Sequence, residues 1–276
     1  MADHHPFLYY WFAFLGIILV RYFAIAGATH FLVHFRCKDF LINQGISIAD
    51  PVWSAIYRDI KLSVSSTVIF ATGAAVVMFT FDRGGTSLYT DLDRYGWWYL
   101  GFSFGLVLFI QDTYFYFLHR LFHHPALFLW LHHGHHRSRQ TTAWTSFAFD
   151  PAEAILQTLL LVAIVSIVPL HFATVIAVIM MMTIWSVLNH LGFALFPRSG
   201  HFSWCGKWAI GPLHHSVHHH KYTKHYGLYF TFWDKLLGTD DPNYAAVKTF
   251  QTRLLPLGPS QLDTFDNLTN LTISQK

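Results

Sequence analysis

Histidine is concentrated in two short windows of this sequence. Thirteen of its twenty histidines lie within residues 119–136 and 214–225. A neutral imidazole is above all a metal ligand, and crowding many of them together is unfavourable unless their lone pairs are used. Each window follows a segment apolar enough to cross a membrane. The sequence therefore predicts a metal centre at the water-facing ends of membrane helices.

The spacing within the windows predicts which rings meet. His119 and His123 are four residues apart, so a helix places them on one face where they can bind a common centre. Two triplets with spacing i, i+3, i+4 predict further shared faces, and one histidine near the same membrane boundary follows a later apolar segment. The candidate ligands are His119, His123, His132, His135, His136, His190, His215, His218 and His219.

Nine imidazoles exceed the needs of one zinc ion, which takes four ligands in structural sites and three plus water in catalytic ones. They suit two ions of higher coordination number with positions left open. Imidazole also serves copper, nickel and iron. The ligand count, the membrane setting and the absence of cysteine from the windows favour a pair of irons working with O2. Because these ligands carry no charge, a bridging oxide, hydroxide or water is expected.

Other polar residues near the windows receive lesser roles. Asp112 lies two helical turns before His119, where its carboxylate could accept a ring N–H and orient that ligand. Four histidines next to the ligands are expected to be outer or surface groups, namely His124, His133, His214 and His220. Six others are interpreted as interfacial polar residues, namely His4, His5, His30, His34, His171 and His201.

The rest of the chain must place these residues at a membrane boundary. Hydrophobic residues make up 53% of it and charged residues 12%, against about 25% charged in soluble domains. Apolar spans are predicted at about 7–33, 63–81 and 97–118, followed by a helical hairpin over 154–188 broken near Pro169. The predicted fold is an all-α integral membrane protein of about four to five transmembrane helices with a cytosolic helical cap. An N-terminal transmembrane region (1–118), a catalytic region (100–240) and a cytosolic tail (241–276) are expected.

The distribution of lysine and arginine predicts the orientation of the bundle. Basic residues follow the first and third spans and the hairpin, whereas the loop between spans two and three holds only Arg83 and Arg94, beside three aspartates. Both histidine windows should therefore face the cytosol, with the N-terminus across the membrane. The sequons at Asn267 and Asn270 should then lie in the cytosol and remain unglycosylated.

These motifs resemble the fatty acid hydroxylase/sterol desaturase superfamily of membrane di-iron enzymes. Its HxxxH, HxxHH and later HxxHH boxes are matched by residues 119–123, 132–136 and 215–219. The words QDTYFYFLHR, WTSFAFDPAE, NHLGF and YGLYFTFWDKLLGT match as well, so the resemblance covers about residues 100–240. HHSVHH followed by YGLYFTFWDKLLGT looks most like the sterol C-5 desaturase branch.

The resemblance implies an enzyme in which two iron ions use O2 to desaturate or hydroxylate a lipid, sterol-like or fatty acyl. Two positions depart from the family pattern. His225 stands where the family often has asparagine, and could be a tenth ligand or hold a water. Asp150 stands where a histidine is common, which could change substrate contacts or an outer hydrogen bond.

Electrons should come from outside the chain, since it has no GxGxxG fingerprint and no fused haem domain. A cytochrome b5 or ferredoxin-type donor docking on the basic cytosolic face is expected. The other partners are the membrane and a lipid substrate, with no nucleic acid. The expected location is the endoplasmic reticulum in a eukaryote or the inner membrane in a bacterium.

Three other functions remain open from sequence. A carotenoid or alkyl-lipid oxygenase would use the same metal site. A histidine-rich metal transporter or sensor would bury ionisable groups at mid-membrane, whereas the histidines here cluster at one side. A multi-haem cytochrome needs only one or two axial histidines per haem and no HxxHH triplets.

The ligand assignment predicts the effect of single substitutions. His135→Ala or His218→Ala should abolish activity and lower the iron content, because each removes a metal ligand. His5→Ala should change neither quantity. Iron analysis and turnover of the purified variants test this, and full activity in either triplet variant would refute the assignment.

Overall fold

The structure is a computed structural model that describes residues 5–43, 46, 48, 50–193 and 207–244. Helices dominate these residues, with two short strands between them. The α-helices are α1 Phe7–Phe31, α2 Lys38–Asn43, α3 Trp53–Phe81, α4 Trp97–Phe122, α5 Pro125–Leu131, α6 His133–His136, α7 Pro151–Ile167, α8 Phe172–Asn189, α9 Pro212–Lys221 and α10 Phe232–Leu236. A π-helix (Leu32–Arg36), two 3-10 helices (Leu92–Arg94 and Ala143–Phe147) and strands β1 (Leu88–Tyr89) and β2 (Leu170–His171) complete the elements.

Four of the helices in the described residues are long and apolar enough to cross a membrane, namely α1 with its π-helical extension, α3, α4 and α8. The apolar helix α7 is shorter, at 17 residues. Large apolar side chains such as Phe12, Val68 and Phe109 are exposed along the long helices, as expected where lipid rather than water covers the surface. The predicted all-α membrane fold is confirmed.

When α7 is counted with the four long helices, successive apolar helices run in opposite directions. The Tyr10 hydroxyl at the start of α1 donates to Asp82 at the end of α3, and β1 pairs in parallel with β2 between α7 and α8. The opposite end of the bundle, here called the histidine end, contains the ends of α1, α4 and α8 and the starts of α3 and α7. The short helices α5, α6 and α9 carry the remaining histidine motifs there.

Helix bounds differ from the predicted spans in one respect that matters. Helix α3 begins at Trp53 rather than at residue 63, because its polar first turns are part of the folded histidine end. Asp59 in this extension is only 3% exposed.

The helical chain is interrupted between α7 and α8, from Val168 to His171. Pro169 lies in this interruption, and its ring cannot supply a helical N–H. His4, His201, the two sequons and nearly all of the tail fall outside the described residues.

Small residues allow α3 to approach its neighbours closely. Ala71 and Ala75 are fully buried, and Ala71 belongs to a cluster with Ile18, Tyr22 and Ala26 of α1. Gly73, on the adjoining face, packs against Thr158 of α7. Such positions are typical of helix contacts in membranes, where packing rather than water exclusion drives association.

Gly73→Ala should destabilise the bundle by about 1–3 kcal/mol, because the added Cβ would overlap the Thr158 Cγ2 methyl. In a Thr158→Ala background the same change should cost little, since the new Cβ would then meet the Cβ of residue 158 at 3.5 Å and Val162 Cγ2 at 3.8 Å, both ordinary contact distances. Thermal unfolding of both single variants and the double variant measures the coupling. Equal losses in the two backgrounds would contradict this account of the α3–α7 contact.

Candidate metal centre

The nine candidate histidines meet at the histidine end in two groups. Each group offers ring nitrogens that all lie within 4.8 Å of one another. The first group contains His119, His123, His132, His136 and His218, and the second contains His135, His190, His215 and His219. All nine predicted ligands are thus brought together, and groups of five and four rings would suffice for two adjacent ions. That these rings bind metal stays a prediction.

Each histidine triplet divides between the two groups. His136 joins the first group while its neighbour His135 joins the second. Helix α9 does the same with His218 on one side and His219 on the other. The prediction that all three residues of the first triplet share one helical face is wrong for His132, which precedes α6 with φ −148°. His119 and His123, at the end of α4, do lie in one group.

Oxygen acceptors fix the orientation of most rings. The Nδ1 atoms of His119, His135 and His218 face the backbone carbonyls of Tyr226, Ala148 and Lys224 at 3.0, 3.1 and 2.8 Å. His190 Nδ1 lies 2.7 Å from the Ser186 carbonyl. A carbonyl can only accept, so each Nδ1 carries the proton and each Nε2 keeps a lone pair for a metal.

The ring nitrogens that face the centre of each group are better suited to binding a metal than to hydrogen-bonding one another. Within the described residues, His119, His123 and His132 have buried Nε2 atoms without a hydrogen-bond partner. Three Nε2 pairs face each other at 3.0–3.1 Å, namely His136 with His218, His215 with His190 and His219 with His215. Two nitrogens at right angles on one ion, with bonds of about 2.1 Å, lie about 3.0 Å apart, whereas tetrahedral ligands lie about 3.4 Å apart. Facing nitrogens at these distances are compatible with ligands that share one ion.

Asp112 has different partners from those predicted. Its Oδ1 accepts the backbone N–H groups of Leu228, Tyr229 and Phe230 at 3.2, 2.7 and 3.1 Å, and the ring of His119 is oriented by the Tyr226 carbonyl instead. Asp112 therefore acts on the centre indirectly, by tying the segment that supplies this carbonyl to α4.

The ring of His132 is oriented by the carboxylate of Glu153, a residue to which no role was assigned from sequence. Glu153, in the first turn of α7, is 0% exposed and accepts the Nδ1–H of His132 through Oε2 at 2.7 Å. The glutamate of the DPAE segment, two residues after Pro151, was the feature of the sequence that could have indicated this role. Its helix places it on the inner face of the bundle, which spacing to the histidines could not reveal.

Asp150 is hydrogen-bonded to the backbone of the second histidine box, residues 132–136. It precedes α7, and its Oδ2 accepts the backbone N–H groups of Gly134 and His135 at 2.7 and 3.4 Å. A Cβ on Gly134 would overlap this carboxylate, so the glycine in HHGHH permits the contact. Asp150 thus provides the outer hydrogen bond that the sequence analysis considered.

Two further buried aspartates brace the chain around the rings, and sequence reasoning missed both. Asp59 of α3 accepts the hydroxyls of Ser138 and Thr145 at 2.5 and 2.7 Å, anchoring the segment after the second box. Asp234 of α10 accepts the backbone N–H groups of Tyr226 and Gly227 at 2.8 and 2.9 Å.

The remaining described histidines lie outside both groups. His225 is buried against His214, with ring centroids 4.9 Å apart, and its Nδ1 lies 3.4 Å from Asp240 Oδ1, so it is not placed as a tenth ligand. His30 is only 6% exposed and packs on His34, Trp53 and Trp144, so its ring lies inside the protein, and its interpretation as an interfacial residue stays a prediction. The side chains of His124 and His171 cap α5 and α8.

Burial keeps the rings neutral. Desolvation, with neighbouring rings adding to it, lowers the pKa of His123 to about 2 and of His190 to about 3. The pKa values of His132, His136 and His219 are lowered well below the usual range by the same causes. Neutral imidazoles at physiological pH are ready to donate lone pairs without first releasing a proton.

The metal-free protein should lose stability as the pH falls below about 6.5. The unfolded chain takes up protons there while the buried rings do not, so the unfolded state is favoured. For His190 alone, a shift from 6.5 to about 3 removes about 2 kcal/mol between pH 7 and pH 5. Thermal unfolding of chelator-treated protein across this range tests it, with a smaller pH slope expected for His190→Asn. An unchanged melting temperature would contradict the buried neutral state.

Comparisons with known proteins find relatives over the part of the chain that carries the nine histidines. The model of the fatty acid hydroxylase family matches residues 104–239. The Delta(7)-sterol 5(6)-desaturase ERG3B of Gibberella zeae is 32% identical over 178 residues, which cover 62% of this chain and 54% of that protein. The chain thus aligns with about half the length of this relative.

Two longer alignments extend the similarity. The Delta(7)-sterol 5(6)-desaturase erg3C of Aspergillus fumigatus is 31% identical over 226 residues, covering 72% of this chain and 69% of the relative. The human lathosterol oxidase is 30% identical over 226 residues, covering 80% and 70%. No solved structure matches the chain. The predicted resemblance and the assignment to oxidoreductase enzymes are confirmed, and the chain belongs to the fatty acid hydroxylase family.

Proposed function

We propose that this chain is an O2-dependent di-iron oxidoreductase that introduces a carbon–carbon double bond into a sterol-like lipid. The observation that carries the proposal is the pair of buried histidine groups, with five and four neutral rings. The choice of sterol and of desaturation is supported by the names of relatives, which are sterol 5(6)-desaturases and a lathosterol oxidase.

The chain's own residues would hold the metals and keep water away. Two iron ions bound by these rings would supply reduction of O2 and removal of hydrogen from an unactivated C–H bond. His218 and His219 are 0% exposed, so the centre is shielded from bulk water. The carbonyls of Tyr226, Ala148 and Lys224, together with Glu153, keep the Nδ1 protons in place and the Nε2 atoms directed inward.

The electron donor would approach the histidine end. Arg36, Lys61, Arg120, Arg137 and Arg139 are exposed there, which suits an acidic partner such as a cytochrome b5 or a ferredoxin. The same excess of positive charge supports a cytosolic location for this end. The endoplasmic reticulum of a eukaryote or the inner membrane of a bacterium would meet both conditions.

Purified protein should contain about two irons per chain. Membranes expressing it, given a Δ7-sterol, O2 and an electron donor, should yield a product two hydrogens lighter, measured by mass spectrometry. His218→Ala membranes serve as the inactive control.

Other outcomes would contradict specific parts of the proposal. A product heavier by one oxygen would indicate hydroxylation instead of desaturation. Zinc or haem in place of iron would refute the di-iron assignment. Turnover by purified protein with NADPH alone would refute the external donor.

A further inference from the structure

Two polar side-chain atoms on the inner face of α7 take no part in orienting the histidine rings. The second carboxylate oxygen of Glu153, Oε1, is buried and has no hydrogen-bond partner among the described residues. The amide nitrogen of Gln157 is likewise buried and without a partner among those residues. Buried polar atoms without partners are rare in folded proteins and each requires an explanation.

The helix places both groups on one face. Glu153 and Gln157 are four residues apart, one turn, and therefore lie on the same side of α7. Ile155 and Leu159, which are 48% and 55% exposed, form the opposite, outward side. Glu153 points toward His132, to which it is bonded through Oε2. Gln157 lies one turn further from the histidine end, between the metal groups and the membrane interior.

Neighbouring helices enclose this turn. The Tyr114 hydroxyl of α4 donates to the Leu156 carbonyl at 3.0 Å, and Thr158 packs on Gly73 of α3. The unpartnered atoms are therefore inside the bundle, where leaving them unpaired costs about 1–3 kcal/mol each. The site lies beside His132, so a lipid bound there would be next to the metal groups.

The two atoms are complementary to a hydroxyl group. A carboxylate oxygen accepts a hydrogen bond and an amide N–H donates one, and a hydroxyl can satisfy both at once. An ester carbonyl cannot donate to Glu153, and a fatty acid carboxylate would be repelled by it. The pair therefore favours a lipid with a free hydroxyl over an ester or a fatty acid.

We propose that Glu153 and Gln157 bind the hydroxyl of the lipid substrate and so select a free sterol alcohol. The inference rests on the proposed function, because it assumes that a lipid is oxidised at the histidine groups. In a sterol, carbon 5 lies two bonds from carbon 3, which bears the hydroxyl. A hydroxyl held beside His132 therefore brings carbons 5 and 6 next to the metals.

Equilibrium binding to iron-loaded protein in lipid nanodiscs tests the site without O2 or a donor. A Δ7-sterol and its 3-deoxy analogue compete against a radiolabelled sterol. Wild-type protein should prefer the alcohol by about tenfold or more, since hydrogen bonds to charged groups contribute about 1.5–3 kcal/mol. Gln157→Met, which keeps the length of the side chain, should reduce this preference about five- to tenfold, with iron content unchanged.

Two further variants separate hydrogen bonding from packing. Gln157→Leu removes the N–H donor and leaves an apolar side chain, so it should lose preference as Gln157→Met does. Leu159→Met, on the outward side of the same helix, should keep the full preference. An unchanged preference in both Gln157 variants, or no preference in wild type, as for a site holding only water, would overturn the inference.

The outcome is separable from that of the proposed function. If no sterol is oxidised but the preference is present and is lost in Gln157→Met, the proposed function fails and the hydroxyl site stands. If the sterol is oxidised but the preference does not depend on residue 157, the hydroxyl site fails and the proposed function stands.

Discussion

Nine imidazole rings, eight of them buried and His123 half-buried, impose the main constraint on this structure because their unshared electron pairs face inward. Such rings repel one another through those lone pairs, with facing nitrogens as close as 3.0 Å. Rotation of a ring would exchange its protonated and unprotonated nitrogens. Carbonyl and carboxylate acceptors on the outer side prevent this exchange in five of the rings, since each demands a proton on Nδ1; these are His119, His132, His135, His190 and His218. The backbone of the segments around the rings must therefore be held as firmly as the rings themselves.

Four aspartates, three of them buried, do this for separate segments. Asp59 fixes the chain after the second box, Asp150 fixes the box, and Asp112 and Asp234 fix residues 226–230. Each accepts two or more N–H or O–H groups, which compensates the cost of burying its charge. Asp59 and Asp112 lie on bundle helices, so the membrane bundle serves as the rigid base of the centre.

Local spacing predicted much of this arrangement, and its limits are specific. Apolar segments located the long helices, and histidine spacing identified the nine rings that meet. Helical periodicity alone placed Asp112 beside His119, but it could not show that the backbone of residues 228–230, over a hundred positions away, would donate to its carboxylate. Asp59 was hidden for a related reason: its partners Ser138 and Thr145 are distant in sequence. His132 departed from the helical pattern because α5 ends just before it.

The division of each triplet between the two groups links the two halves of the centre mechanically. Helix α9 carries His218 for one group and His215 and His219 for the other, and the residues around α6 are shared in the same way. An ion that immobilises α9 through one group also removes the conformational freedom of the ligands in the other. The first ion would thus lower the entropic cost for the second, which is positive cooperativity in metal loading. Partly loaded protein would then be scarce, and populations would divide between empty and doubly occupied chains.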